Sequence, residues 1–238
     1  MKRIVFPFLG MLMLWMSGCI KPGENTQCLS YYIPAIYDFS YELDLFQPVF
    51  ITQGGAFVAQ SQSNTELTVG GAYLIAFCVN HDQQPSDKYT TIYNLDMIPS
   101  GRGYSQATTD GNSEAGDFDL PIVSMQFTGV VGDIWFFAFE HKESSTQGFV
   151  YEMTYDRNKP TDIPVVYCRA KSAQSPSNST KLGYHAFNMS NFYYDHYDQV
   201  DADKKLKFMV RYKIGEEEGI DKYETMYYDG SSTLYMIE

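Results

Sequence analysis

Apolar runs of four to nine residues recur along this chain between polar or glycine-rich breaks, the rhythm of strands and turns. FQPVFIT (46–52) and AFVA (56–59) flank Gln53-Gly54-Gly55, which predicts a hairpin. AYLIAFCV (72–79) follows Gly70-Gly71 and is apolar on both faces, so it should lie centrally with both sides covered. The polar stretch HDQQPSDK (81–88) reads as a long loop, and YTTIYNLDMI (89–98) as the next strand. Five short strands within about 65 residues predict a small barrel over 31–99. PSGRGYSQATTDGNSEAGD (99–117) holds almost nothing apolar, which predicts a linker over 100–117.

Beyond it the runs resume as LPIVSMQF (120–127), DIWFFAFEH (133–141), GFVYEMTY (148–155), IPVVYCRA (163–170), LKFMVRYKI (206–214), KYETMYY (222–228) and TLYMIE (233–238). In LKFMVRYKI, Leu206, Phe208, Val210, Tyr212 and Ile214 alternate with Lys207, Arg211 and Lys213, the pattern of a strand solvated on one face. The expected fold class is therefore all-β, a barrel followed by an antiparallel β-sandwich over 118–238. A short helix is expected only around 183–191.

At the N-terminus, Lys2 and Arg3 precede about a dozen apolar residues, a run too short to span a bilayer and of secretory signal length. Ser17-Gly18-Cys19 resembles the lipobox of bacterial lipoproteins, although Met16 stands where Leu is usual. The resemblance implies a signal peptide over 1–18, lipidation of Cys19 and a polar tether over 19–30. Acyl chains each add about 0.8 kcal/mol per buried methylene, so several of them make a lasting anchor. Ile20, where Asp would favour retention in the inner membrane, points to the outer membrane, facing either the periplasm or the surface.

Without residues 1–18 the balance is 15 basic against 29 acidic residues, a field that repels phosphate backbones and disfavours nucleic acid as a partner. Aromatics make up 16% of the chain, with 20 Tyr, which suits pleated, half-buried surfaces. Besides Cys19, Cys28, Cys78 and Cys168 remain; an oxidising compartment permits one disulfide among them. The strand-like settings of Cys78 and Cys168 favour buried free thiols instead.

Candidate chemistry is sparse. No G-x-S-x-G elbow is present, and His81, His141, His185 and His196 are scattered, so no catalytic residue is nominated. The run from Asp110 to Pro121 fails as a calcium loop, because its glycine falls at the seventh position and Pro121 occupies the twelfth. Zinc spacings are absent, and neither a metal nor a cofactor is expected. NFYYDHYD (191–198) is the densest unusual stretch. Exposed Tyr and His interleaved with Asp are the makings of a sugar-binding or protein-binding face, which makes Tyr193, His196 and Tyr197 ligand-binding candidates; read instead as an edge strand, the stretch packs Phe192 and Tyr194 inward while Tyr193 and Tyr197 only cover the rim. Trp135, within IWFFAFEH, is a further candidate platform on what should be a core strand.

A lipobox Cys, a tether, a barrel segment carrying Gly70-Gly71 before its central strand, and an all-β segment containing LKFMVRYKI together resemble the NigD-like lipoproteins of Bacteroidota. That resemblance implies an OB-like barrel before the β-sandwich, and a name tied to bacteriocin production and immunity. Three functions follow as expectations. The first is a non-enzymatic, lipid-anchored binding or accessory protein with a protein or glycan partner. The second is a protective lipoprotein that sequesters a toxin, and the third a hydrolase of envelope polymers.

Overall fold

The computed structural model describes residues 25–38, 47–60, 66–84, 87–108, 120–142, 150–157, 161–171, 179–202, 205–228 and 234–236. Cys19, most of the expected tether and residues 109–117 of the expected linker lie outside these. Among the described residues, regular structure consists of fourteen strands, one short α-helix and two single 3-10 turns.

β1 (Thr26–Cys28), β2 (Ile33–Asp38), β3 (Val49–Thr52), β4 (Gly55–Ala59), β5 (Ala72–Asn80) and the first half of β6 (Thr90–Thr108) form the barrel. β2, β3 and β4 meander antiparallel, β4 pairs parallel with β6, β6 pairs antiparallel with β5, and β5 returns to β2. That ring of five strands is the OB-like barrel expected from the sequence. A register shift opposite Asn94, whose φ is 51°, puts a bulge into β6 and lets the sheet curl. Tyr37, Phe50, Tyr73, Ile75, Phe77 and Ile92 fill the interior.

β1 lies inside the segment expected to be tether. It pairs with β5, and Cys28 faces Cys78 across the pair in a disulfide. The expectation of a reduced Cys78 is thereby corrected: a strand setting predicts burial but says nothing about which residue faces the thiol across the sheet. Cys168 is free, and burial pushes its thiol well above the usual range.

The remaining strands are β7 (Ser124–Val131), β8 (Ile134–Lys142), β9 (Val150–Asp156), β10 (Val165–Lys171), β11 (Thr180–Asn188), β12 (Phe208–Glu217), β13 (Ile220–Tyr228) and β14 (Leu234–Met236), with α1 (Ser190–Asp195) between β11 and β12. They build two facing layers, β7-β8-β11-β6 and β6-β9-β10-β12-β13-β14. The sandwich is mixed rather than purely antiparallel, since β6 pairs parallel with β11 and then with β9, and β10 pairs parallel with β12. Trp135, Phe137, Phe139, Met153, Phe208 and Val210 are among the side chains that meet between the layers. Leu206, Phe208, Val210 and Tyr212 are buried, as their alternation requires.

Residues 100–108 are strand, which corrects the first half of the expected linker. The two glycines there reflect crowding: a Cβ on Gly101 would sit 2.3 Å from Nδ1 of His185 on neighbouring β11, and one on Gly103 3.0 Å from the Phe187 ring. The helix expected around 183–191 is also corrected, because β11 runs through Asn188 and α1 begins two residues later.

A third apolar cluster joins the two halves. Ala72 and Leu74, on the outer face of the barrel, pack with Val131, Phe136 and Ala186 from the back of the sandwich. Gly129, at φ 144°, bulges β7 beneath Pro34 of the barrel; a Cβ there would lie 2.9 Å from the proline Cγ. AYLIAFCV and IWFFAFEH are apolar on both faces because each serves two cores.

Candidate functional site

Alternation along β8 turns Trp135 toward the space between the layers, one step from the exposed β7–β8 turn at Gly132 and Asp133. Its ring is only 3% exposed and packs against Phe127, Phe208 and Tyr228 at centroid distances of 5.0, 5.1 and 4.7 Å.

α1 closes this end of the sandwich. The Met189 N–H donates to the Asp133 carbonyl, and the Ser190 N–H donates to Oδ1 of Asn188, so the helix starts directly against the β7–β8 turn. Phe192 points inward and is fully buried against Phe208 and Tyr155. Asp195 locks the other end of the helix: its Oδ2 accepts from the Tyr155 hydroxyl at 2.6 Å and from Arg157 at 2.7 and 2.9 Å. Burial opposes ionisation of Asp195, but the Tyr155 hydroxyl, the Arg157 guanidinium and His196 together hold its carboxyl below the ordinary range.

Between this helical segment and the ends of β7, β8 and β13 lies a cleft of about 410 Å³. Trp135, Phe127 and Val130 form one side, and Tyr228 contributes from β13. Tyr193, Tyr194 and Tyr197 line the other; Tyr194 is 82% and Tyr197 75% exposed. Asp133 and Lys205 supply one carboxylate and one ammonium group. Burial, with Tyr228 and Asp133 nearby, raises the Tyr193 hydroxyl far above its usual range despite a hydrogen bond from Trp135, so it stays protonated and can both donate and accept.

Three of the four ring candidates named from the sequence, Trp135, Tyr193 and Tyr197, thus meet at one cleft. His196 does not join them. It is buried, its Nδ1 lies 2.9 Å from the Phe192 carbonyl, and its ring packs on Phe192 and Tyr155. Tyr194, expected inside, is outside, because the segment is helical rather than extended and its side chains follow a 3.6-residue period. The same period places Tyr193, Tyr194 and Tyr197 on neighbouring faces and could have signalled them together. Asp133, Lys205 and Tyr228 carried no local signal; they reach the cleft through the packing of distant strands.

The other histidines lie elsewhere. His81 pairs with Gln27 at 2.8 Å, and His141 shares a 2.7 Å buried hydrogen bond with Tyr151. His185 is packed between Phe187 and Tyr151, and its Nε2 is buried without a hydrogen-bond partner among the described residues. Burial lowers its pKa to about 4, against a hydrogen bond to the Arg102 backbone that raises it. Among the described residues no group of three or more His, Cys, Asp or Glu is placed to hold a metal ion. No helix among them is long and apolar enough to cross a membrane.

Fold and cleft define an all-β protein of barrel and sandwich with an aromatic groove at the sandwich end. The same architecture appears in an uncharacterized protein from Parabacteroides merdae ATCC 43184, 14% identical, which it matches over 87% of this chain and 98% of that one at a TM-score of 0.63. A candidate lipoprotein from Bacteroides fragilis NCTC 9343 is 11% identical and matches over 84% and 97% at 0.63. A NigD-like immunity protein from Bacteroides caccae ATCC 43185 is also among the similar structures, 9% identical over 87% and 97% at a TM-score of 0.45. At such identities what is shared is the fold. No protein-family model and no curated protein matches the chain.

Proposed function

We propose that this chain is a lipid-anchored envelope protein, held at the outer membrane through acylated Cys19, which binds a partner in the aromatic cleft without turning it over. The observation that carries the binding role is the convergence of Trp135, Tyr193, Tyr194, Tyr197 and Tyr228 on one cleft which, among the described residues, is also lined by one carboxylate and one ammonium group. Exposed tyrosines are rigid, amphipathic contact surfaces, and a concave site with few polar groups is the usual form of a binding pocket. None of the four histidines lines the cleft. The fold shared with the candidate lipoprotein of B. fragilis supports the anchor, as does the leader pattern ending at Cys19.

The test has two parts. Mass spectrometry of the protein from native membranes should find Cys19 as the acylated first residue. Tyr194→Ala with Tyr197→Ala should abolish capture of the partner from envelope extracts while the melting curve stays in place; capture unchanged by the pair would refute the cleft's role.

A second reading is favoured by the acidic excess, 15 basic against 29 acidic residues beyond residue 18. Such a field steers a basic toxin toward the surface, as a protective lipoprotein requires. Its association would slow steeply between low and high salt, whereas contacts made by uncharged rings would barely respond.

A further inference from the structure

The geometry points to a neutral oligosaccharide as the ligand of the aromatic cleft. This inference rests on the cleft being a binding site and names what it takes.

Three features select that class. Tyr194 and Tyr197 stand largely in water on a segment that buries Phe192 completely, so the fold leaves these two rings without a packing role. Rings placed this way suit a ligand with apolar C–H surface that remains hydrated elsewhere, which is the character of a pyranose. The polar groups are matched in number: Asp133 accepts hydroxyl protons, Lys205 donates, and the protonated Tyr193 hydroxyl does both. Finally, among the described residues one carboxylate and one ammonium line the cleft, and the two charges balance in a strongly acidic chain. An anionic ligand would meet the repulsion of the whole molecule, and a cationic one would call for more than one carboxylate. A volume of about 410 Å³ suits a small section of a glycan chain rather than a protein surface.

The chain supplies its own reporter. Its two tryptophans are Trp15, within the expected signal peptide, and Trp135, at the cleft, so indole emission of the mature protein reads the site alone. Mature protein is titrated with oligosaccharides of glucose, mannose and galactose, with uronic-acid oligosaccharides, and with a proline-rich peptide, each at low and high salt. The expected result is a saturable emission change with at least one neutral sugar, insensitive to salt. Tyr194→Ala and Tyr197→Ala should each weaken it about tenfold, equal to about 1.4 kcal/mol. Lys205→Met lies on a separate segment and should also weaken it, which keeps the test valid if a tyrosine variant misfolds. Saturable binding by only the uronates or the peptide, or sugar binding that survives all three substitutions, overturns the proposal. So does silence with every sugar. If the sugars fail while Tyr194→Ala still abolishes capture of an envelope partner, the cleft remains a binding site and only its ligand class falls; if that capture also persists, both fall.

Discussion

At the scale of single residues, His185 carries the clearest pH signature. An ordinary histidine titrates near 6.5, whereas burial holds this one at about 4. The unfolded chain therefore takes up a proton at higher pH than the folded one. Stability from this group is complete above about pH 6.5, declines as pH falls through the window to about 4, and levels off below it, with a total loss of up to about 3 kcal/mol. Urea unfolding at the two ends of that window should show the loss in the wild type, and His185→Leu should show less of it by that amount. Gly101 belongs to the same packing. A methyl placed there would be 2.3 Å from Nδ1 and 2.8 Å from Cε1 of the ring, so Gly101→Ala should destabilise by about 1–3 kcal/mol. If the ring is the obstacle, the penalty shrinks when His185→Ala is present, and a double-mutant cycle gives a coupling well above zero.

Among the elements, α1 and β1 are short and are held by contacts outside themselves. α1 has six residues, too few to be helical by propensity, and is fixed by Phe192 inside and by Asp195 with Tyr155 and Arg157 at its end. Asp195→Ala should cost about 1–2 kcal/mol, the modest end for bonds to a charged group because Arg157 is exposed. Acrylamide quenching of Trp135 should rise in the same variant as the cleft wall loosens. β1 has three residues and a disulfide that closes a 50-residue separation. Breaking it with Cys28→Ala and Cys78→Ala should cost about 3–4 kcal/mol in guanidinium unfolding. Elements with strong alternation or unbroken apolar runs, such as LKFMVRYKI and AYLIAFCV, were legible in the sequence. β11, TKLGYHAFN, was not, because Lys181, Gly183 and His185 interrupt it and its burial comes from strands distant in sequence. α1 was missed for its length, and with it went the correct facing of Tyr194 and His196. Parallel pairing of β6 with β9 and β11 leaves no local mark, since nothing near these strands in the chain records the partner. The cleft was legible in its aromatic members and illegible in Asp133 and Lys205, which only the assembled ends of strands bring near.

For the molecule as a whole, the question is whether barrel and sandwich fold as one unit. β6 answers it in part: residues 90–100 close the barrel, and the same strand continues beside β11 and β9 in both layers of the sandwich. The apolar seam of Leu74, Val131, Phe136 and Ala186 adds buried contact exactly where two independent domains would show polar, wetted surfaces. A strand shared by four ladders cannot leave one of them without disturbing the others, so thermal unfolding should be a single transition seen alike by far-ultraviolet circular dichroism and by Trp135 emission. Phe136 is the decisive probe, because it faces the barrel while its neighbours Trp135 and Phe137 face the sandwich core. Phe136→Ala removes about 3–5 kcal/mol of packing. In a coupled molecule that loss lowers the one transition for both probes together. If the barrel instead melted at its original temperature while Trp135 reported an earlier event, the seam would be a contact between separable domains, and a ligand in the cleft would stabilise the sandwich alone.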